Sequence, residues 1–332
     1  MKKIALEEHF LTPDFEEYWA PSAANVDPAI YGRLHAQLTD FGGLRLDAMD
    51  RAGIERSVLS LSGPGVQREP DTAVARRKAS EVNDALAREI EKRPGRYSGF
   101  AHLPMQDPVA AADELERCVR GLGFCGAMIN GHTNGEYLDE ARFDAFWERV
   151  EEIGVPIYLH PADPVSSYPG IAGCAALKRA MWEWSVETGS HALRLVFGGV
   201  FDRFPGVRLV LGHLGETLPY LLWRFDSRAR IYGMKLQRRP SEYIREHVFV
   251  TTSGMCANEP LHCAMGALGA GHVMFSVDYP FESAGEAASF IENAPFGEEE
   301  RTDVCFRSAE RLLGLAAGCG EGYGREESAA WM

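Results

Sequence analysis

The 332-residue sequence lacks several features that would assign it to particular classes of protein. It contains no run of about 18 apolar residues, so no membrane-spanning helix is expected. Basic residues are not in excess: 34 Lys and Arg stand against 48 Asp and Glu, for a formal net charge of −14. Because nucleic-acid binding depends on clustered positive charge, we expect no nucleic-acid partner.

The seven cysteines are scattered, odd in number and never spaced Cys-x-x-Cys, which predicts reduced thiols rather than disulfides or a zinc knuckle. The start, MKKIALEEHF, reaches two glutamates too early for a signal peptide. These features predict a cytoplasmic protein. Because linkers and low-complexity tracts are missing, we predict one domain over 1–332, with a C-terminal tail at 318–332 that docks on a neighbouring subunit or stays disordered.

Short β-branched apolar segments recur along the chain and alternate with amphipathic ones. Nearly continuous apolar segments are typical of strands buried on both faces of a parallel sheet. Strands are predicted over 2–9, 56–62, 97–103, 125–130, 156–160, 208–213, 248–253 and 272–278. Helices are predicted over 70–95, 107–123, 139–154 and 191–206. This alternation predicts an α/β fold, a (β/α)8 TIM barrel, with inserted helices near its mouth from 10–50 and 161–205.

Ionisable residues end several of the predicted strands. Glu7 and His9 end the first strand, His160 the fifth and Asp278 the eighth. The carboxyl ends of barrel strands face one shared site, and the i, i+2 spacing places Glu7 and His9 on one face. Imidazole and carboxylate ligands suit zinc or manganese, and no thiolate is present that would require zinc. We therefore predict one divalent metal ion held by these four residues.

Each of these residues also has an ordinary structural interpretation. Glu7 could be a solvated carboxylate at a strand end, as we expect for its neighbour Glu8. Asp278 could cap the following helix, although Pro280 makes a simple cap less natural. His102 has no evident chemical partner in the sequence, so we predict a structural role for it. The metal site is favoured because ionisable side chains end four of the eight strands: the first, the fifth, the eighth and also the sixth, which ends in His213.

The sequence GHLGETLPYLLWRFD at 212–226 follows the sixth strand. If a helix starts just after Gly215, Glu216 lies in its first turn, where the helix dipole favours a carboxylate. Glu216 could instead accept a proton from His213, fixing its tautomer and raising its basicity. Arg224 lies about two turns beyond Glu216 and would share its helix face, unless it serves only in a surface ion pair.

Stretches from nearly the whole chain, in order, resemble the amidohydrolase superfamily, in its branch of non-oxidative aromatic acid decarboxylases. The stretches include ALEEHF, RPGRYSGFAHLPMQDP, VPIYLHPADP, LGHLGETLPYLLWRFD and FSVDYPFE. Hydrolase members open with His-x-His after the first strand, whereas this chain has Glu7-x-His9, which resembles the decarboxylases of γ-resorcylate, 2,3-dihydroxybenzoate, salicylate and 5-carboxyvanillate.

The resemblance implies the reversible, metal-dependent decarboxylation of an ortho-hydroxybenzoate, such as 2,6-dihydroxybenzoate. The ring carbon would be protonated before carbon dioxide leaves. The implied catalytic residues are Asp278, His213 and Glu216, beside the metal ligands Glu7, His9, His160 and Asp278. The predicted substrate contacts are Arg224, Phe281, Ser62 and Asn130. The partner is a small aromatic carboxylic acid, and the family implies a homodimer or homotetramer.

The same residues are also compatible with other functions. A metal-dependent hydrolase of a lactone, ester or amide could use the same barrel. A decarboxylase of a non-benzenoid acid, such as a carboxyuracil or a carboxymuconate semialdehyde, is a closer alternative. A metal-binding protein without enzymatic activity would leave five ionisable residues at one barrel mouth unexplained.

Overall fold

The computed structural model describes residues 1–24 and 26–315, so the predicted tail at 318–332 lies outside the described residues. Parallel strands alternate with helices along this part of the chain. The strands are β1 Lys3–Phe10, β2 Ile54–Leu61, β3 Tyr97–Gly99, β4 Ala127–Asn130, β5 Ile157–His160, β6 Leu209–Leu211, β7 Val248–Thr251 and β8 Val273–Met274. Every predicted strand is present, although several end before the polar residues that follow them.

The helices lie between the strands and ahead of β2. They are α1 Glu16–Ala23, α2 Pro28–Thr39, α3 Leu44–Ala52, α4 Thr72–Glu91, α5 Pro108–Glu116, α6 Asp144–Ile153, α7 Glu183–Phe197, α8 Val200–Arg203, α9 Leu218–Ile231, α10 Pro240–His247, α11 Asn258–Leu268, α12 Ala284–Asn293, α13 Glu298–Thr302 and α14 Ser308–Leu313. Within 1–24 and 26–315, none of them combines the length and the apolar character needed to cross a bilayer.

The strands follow one another in space in the order of the sequence, and all pairs are parallel. β1 to β3 form one sheet and β4 to β8 a second. An isolated parallel bridge between Ala101 and Ala127 lies at the first seam, and one between Glu8 and Tyr279 connects β1 with the segment after β8. This circular order is that of the predicted (β/α)8 barrel.

The apolar character of the strands reflects two separate packing layers. Alternate strand residues such as Ile4, Val58 and Met128 fill the inside of the barrel. Their neighbours, such as Leu59 and Ile129, pack outward against the helices. Because both faces are buried, the strands show no alternation of polar and apolar residues.

The connection between β5 and β6 differs from the sequence prediction, and the insertion at residues 10–50 adds detail to it. The single helix predicted over 191–206 is two helices, because α7 ends at Phe197 and the chain turns at Gly199, which has a φ of +72°. Residues 10–50 form α1 to α3, and Trp19 and Val26 from this insertion line the cavity at the barrel mouth. The inserted helices therefore lie where they were predicted.

Candidate metal centre and active site

Glu7, His9, His160 and Asp278 converge at the carboxyl ends of the strands. One ligand atom from each residue lies within 4.8 Å of the other three. His160 Nε2 is 3.3 Å from Glu7 Oε1, and His9 Nε2 is 3.3 Å from Asp278 Oδ1. The structure thus brings together the four side chains that were predicted to form one metal site.

An irregularity in β1 directs two of these side chains to the site. Over Ala5–Glu8 the strand advances three residues while its partner β2 advances two, over Ser57–Leu59. One extra residue in a strand is a β-bulge, which shifts the alternation of the side chains that follow. Leu6 faces the barrel interior, and Glu7 and His9 both supply an atom to the cluster.

Glu8 is not the solvated carboxylate that we expected, since only 2% of its surface is exposed. Its Oε1 accepts hydrogen bonds from the Ser276 hydroxyl and the Val277 N–H, at 3.1 and 3.0 Å. Burial raises the pKa of Glu8 to about 8. The error has a physical cause: the end of β1 is covered by the segment after β8, so no carboxylate there reaches solvent.

The unpaired atoms of the cluster fit a divalent cation. Of the side-chain atoms in the described residues, Glu7 Oε1 and His9 Nε2 are both buried without a hydrogen-bond partner. His160 Nδ1 lies 2.8 Å from the Pro161 carbonyl oxygen, to which it can only donate, so Nε2 keeps its lone pair for a metal. His9 Nδ1 lies 3.3 Å from the Ser60 hydroxyl. Supporting contacts of this kind fix the orientation of metal-binding imidazoles.

Hydroxyl groups on β5 and just after β7 hold the other oxygen of Glu7. The hydroxyls of Tyr158 and Ser253 both donate to Glu7 Oε2. Thr251 lies between these two donors, 2.8 Å from Tyr158 and 2.9 Å from Ser253. Tyr158 was not predicted as a site residue, although its position two residues before His160 on the same strand face was a usable indication.

The charges at the site are tightly coupled. Burial lowers the pKa of His160 to about 3, which leaves its imidazole neutral as a metal ligand requires. Burial raises the pKa of Glu7. Burial would also raise the pKa of Asp278, but the nearby imidazoles of His213 and His9 outweigh this effect and lower that pKa. A nearby cation favours the charged form of both carboxylates.

His213 and Glu216 form a direct pair, with His213 Nδ1 2.6 Å from Glu216 Oε1. The other carboxylate oxygen of Glu216 accepts a hydrogen bond of 2.6 Å from Ser185 on α7. Burial disfavours a charged imidazole, yet the negative charges of Glu216 and Glu7 raise the pKa of His213 well above its usual value. His213 Nε2 lies 3.9 Å from Asp278 Oδ2.

The backbone around this pair differs from the predicted helix start. Glu216 does not lie in a first helical turn, because α9 begins at Leu218 and its N-cap is Thr217. His213 and Glu216 have φ values of +51° and +52°. This left-handed turn folds Glu216 back towards His213, so the contact between them does not depend on helix geometry.

These groups border a cavity of about 1120 Å³ at the barrel mouth. Three of the predicted substrate contacts, Ser62, Asn130 and Phe281, line it. The Phe281 ring centroid lies 5.7 Å from that of His9, close enough for a bound ring to touch both. Further lining residues that the sequence did not single out are Gln67, Arg68, Asp163, Arg179 and Trp184.

Arg224 is not brought into this cavity. Its side chain is exposed on α9, and it is not among the residues that line the cavity. The prediction that Arg224 shares a helix face with Glu216 is wrong, because Glu216 precedes the helix. The predicted structural role of His102 is consistent with the structure: its buried Nε2 accepts a 2.9 Å hydrogen bond from the Val66 N–H.

Comparison with known proteins gives the family. The amidohydrolase family model matches residues 30–315, and the chain belongs to this family. A γ-resorcylate decarboxylase of Rhodococcus jostii is 42% identical over 327 residues, which cover 94% of this chain and 98% of the relative. The resemblance predicted from the sequence is therefore confirmed.

Two solved structures extend the likeness to the fold. A 2,6-dihydroxybenzoate decarboxylase in complex with 2,6-dihydroxybenzoate superposes with a TM-score of 0.89 and 38% identity, covering 95% of this chain and all of the other. A dihydroxybenzoic acid decarboxylase from Polaromonas sp., with bound manganese and the inhibitor 2-nitroresorcinol, gives a TM-score of 0.88 and 40% identity, covering 95% and 97%.

Proposed function

We propose that this protein is a metal-dependent, non-oxidative decarboxylase of an ortho-hydroxybenzoate such as 2,6-dihydroxybenzoate. The observation that carries the proposal is the cluster of Glu7, His9, His160 and Asp278, with His213 beside Asp278, at one end of a cavity large enough for an aromatic acid. The relatives described above are decarboxylases of such acids, and the structure of one of them contains manganese. We therefore propose manganese as the native metal, with zinc as the alternative.

The residues divide the reaction between them. A divalent cation held by Glu7, His9, His160 and Asp278 would supply a Lewis acid for the oxygen atoms of the substrate. Phe281 packs on the ring next to His9. As the substrate binds, Asp278, which is charged in the free site, takes a proton from His213 and delivers it to the ring carbon that bears the carboxylate. The electrons of the breaking carbon–carbon bond then return to the ring as carbon dioxide leaves, so the phenol forms without oxidation or reduction.

His213 resupplies the proton that Asp278 transfers. Its pKa is raised chiefly by Glu216 and Glu7 against the effect of burial, so the imidazole holds a proton near neutral pH. The distance of 3.9 Å between His213 Nε2 and Asp278 Oδ2 is short enough for transfer after a small shift. Glu216 is fixed by Ser185 and by His213, and it keeps the imidazole pointed at Asp278.

The proposal is tested by measuring carbon dioxide released from salicylate, 2,3- and 2,6-dihydroxybenzoate, orsellinate and 5-carboxyvanillate, beside a panel of lactones. We expect release from at least one hydroxybenzoate, with the corresponding phenol in equal amount. Hydrolysis of a lactone without decarboxylation would overturn the proposal. A positioned general acid contributes roughly 10²–10⁴-fold in rate, so Asp278→Asn should lose activity by about that factor when the metal is retained.

We further propose a homodimer or homotetramer. On α9, Tyr220 and Trp223 are 80% and 76% exposed, and Arg224 lies beside them. Exposed aromatic residues next to arginine are typical of subunit interfaces. Because Arg224 lies outside the cavity of its own chain, the proposed contact with substrate would have to cross such an interface. Light scattering should show an oligomer that Trp223→Glu weakens, and a monomeric wild-type protein would contradict this.

A cytoplasmic location is proposed from the cysteines. Six of the seven lie in the described residues, and all six are free thiols. Cys118, Cys125 and Cys305 are buried. Unpaired thiols are usual in a reducing compartment. Cell fractionation with an antibody to the protein would check the location.

A further inference from the structure

We propose that the side-chain amide of Asn130 binds a second hydroxyl group on the aromatic ring of the substrate, and that Gln67 positions Asn130 for this contact. The proposal rests on the decarboxylase function proposed above and specifies which hydroxybenzoates the site prefers. Asn130 becomes a specificity-determining residue, separate from the metal ligands and from the proton-transfer residues.

The first observation is an unsatisfied amide inside the cavity. Asn130 is 1% exposed and lines the cavity. Among the described residues, neither its Oδ1 nor its Nδ2 has a hydrogen-bond partner. A buried amide without partners is costly, because it has lost water and gained nothing in return. A ligand that pairs with both atoms removes this cost when it binds.

The second observation is that the backbone of Asn130 is held firmly. The Gln67 side chain accepts a 2.6 Å hydrogen bond from the Asn130 N–H and donates one of 3.2 Å to its carbonyl oxygen. Gln67 also donates to the Thr133 hydroxyl, at 3.0 Å. Gln67 is itself buried, and these bonds use both ends of its amide. The support is therefore directed at the backbone, and the Asn130 side chain remains free for a ligand.

The location fits a substrate held at the metal centre. Asn130 ends β4 and pairs in register with His160, the proposed metal ligand on β5. Neighbouring strands lie roughly 4.8 Å apart, so the amide is within reach of a ring oriented by the metal. Asp278, the proposed acid, follows β8, four strands away from β4 in the order of the sheet.

The chemistry of the amide selects the group it binds. A hydroxyl donates one hydrogen bond and accepts others, so it can pair with Oδ1 and Nδ2 together. A carboxylate would leave Oδ1 facing negative charge. A methoxy group can only accept, and a hydrogen or methyl group pairs with neither atom. The expected order of ring substituents at this position is hydroxyl, then methoxy, then hydrogen or methyl.

Gly63 is packed against the same amide. A Cβ atom added to Gly63 would lie 2.5 Å from Asn130 Oδ1, which is too close for any real contact. Glycine at this position therefore gives the amide its room. The substitution Gly63→Ala should displace the amide while leaving its chemistry unchanged, which provides a second perturbation of the same contact.

The experiment compares kcat/KM for 2,6-dihydroxybenzoate, 2-hydroxy-6-methoxybenzoate and salicylate in the metal-loaded enzyme. Leaving a buried polar group unpaired should separate the first from the last by roughly 10–100-fold. Asn130→Ala should bring this ratio close to one, chiefly by lowering kcat/KM for the dihydroxy acid. Gln67→Met and Gly63→Ala should reduce the ratio partly. Asn134→Gly, which changes an exposed asparagine at the cavity rim, should leave the ratio unchanged.

The proposal would be overturned if Asn130→Ala left the ratio of kcat/KM for 2,6-dihydroxybenzoate to that for salicylate unchanged. It would also be overturned if the wild-type enzyme had the same kcat/KM for all three acids. The dissociation constants of resorcinol and phenol, the two product phenols, provide a second readout that needs no turnover. Resorcinol should bind more tightly than phenol to the wild-type protein and equally to Asn130→Ala. If no hydroxybenzoate releases carbon dioxide, the proposed function fails. The dissociation constants of resorcinol and phenol still decide whether the Asn130 amide binds a second hydroxyl.

Discussion

The support of Glu7 by Tyr158 yields a prediction whose size follows from the structure. Tyr158→Phe removes one of the two hydroxyl donors to Glu7 Oε2 and keeps the ring, which is fully buried beside Phe100. A hydrogen bond to a charged group contributes about 1.5–3 kcal/mol, and losing a supporting partner of a metal ligand typically costs roughly 10–100-fold in affinity. We expect manganese affinity to fall by about that factor, because Glu7 can then rotate and its free oxygen no longer points at the other ligands.

The assay is a competition titration of the metal-free protein with a fluorescent chelator. Tyr97→Phe is the matched control, since Tyr97 is a buried tyrosine whose hydroxyl donates a 2.6 Å hydrogen bond to the Phe41 carbonyl, away from the metal centre. Both variants should lose some stability, but only Tyr158→Phe should lose metal affinity. Equal metal affinity in wild type and Tyr158→Phe would refute the reasoning, as would an equal loss in Tyr97→Phe.

Two further predictions concern the protonation of His213 and the stability of the fold. Glu216→Gln removes the main charge that raises the pKa of His213, so we expect kcat to fall by roughly 10²-fold with little change in KM, measured by steady-state kinetics; an unaltered kcat would remove Glu216 from the proton path. Burial lowers the pKa of His102 to about 4 and that of His191 to about 3. In the unfolded chain both histidines would have a pKa of about 6.5. At pH values between the folded and the unfolded pKa, the unfolded chain therefore binds protons that the folded chain does not. Stability should therefore fall as the pH drops below about 6.5, by about 1.4 kcal/mol per pH unit for each histidine. Urea denaturation at pH 5, 6 and 7 should show a shallower dependence in His191→Gln, whose amide can still accept the Leu138 N–H that His191 Nε2 accepts now; an identical slope would contradict this.

The sequence was sufficient to predict the barrel and the metal cluster, because both depend on local features. Buried strands are recognisable as apolar segments, and the ends of parallel strands meet by topology alone. Glu7 and His9 were placed on one face by their spacing, and the β-bulge in β1 was not needed for that inference. The pair His213 and Glu216 was also found, although through a helix start that the structure does not contain.

The remaining site features depend on contacts between distant segments. Glu8 is buried because the segment after β8 covers it, and nothing near Glu8 in the sequence indicates this. Arg45 is similar: it is 1% exposed and donates a 2.5 Å hydrogen bond to the His9 carbonyl, yet the sequence predicted only inserted helices for the segment 10–50 that contains it. Helix periodicity placed Arg224 on the same helix face as Glu216, and the left-handed turn before α9 invalidates that step. The substrate contact of Arg224, which the family resemblance implies, stays a prediction.

The most direct test is an anomalous scattering map at the manganese edge, from crystals grown with manganese and a hydroxybenzoate. One peak should lie among Glu7, His9, His160 and Asp278, at roughly 2.0–2.3 Å from their ligand atoms, with the aromatic acid beside it. A map without a peak at this position, or with the manganese held by other residues, would contradict the account.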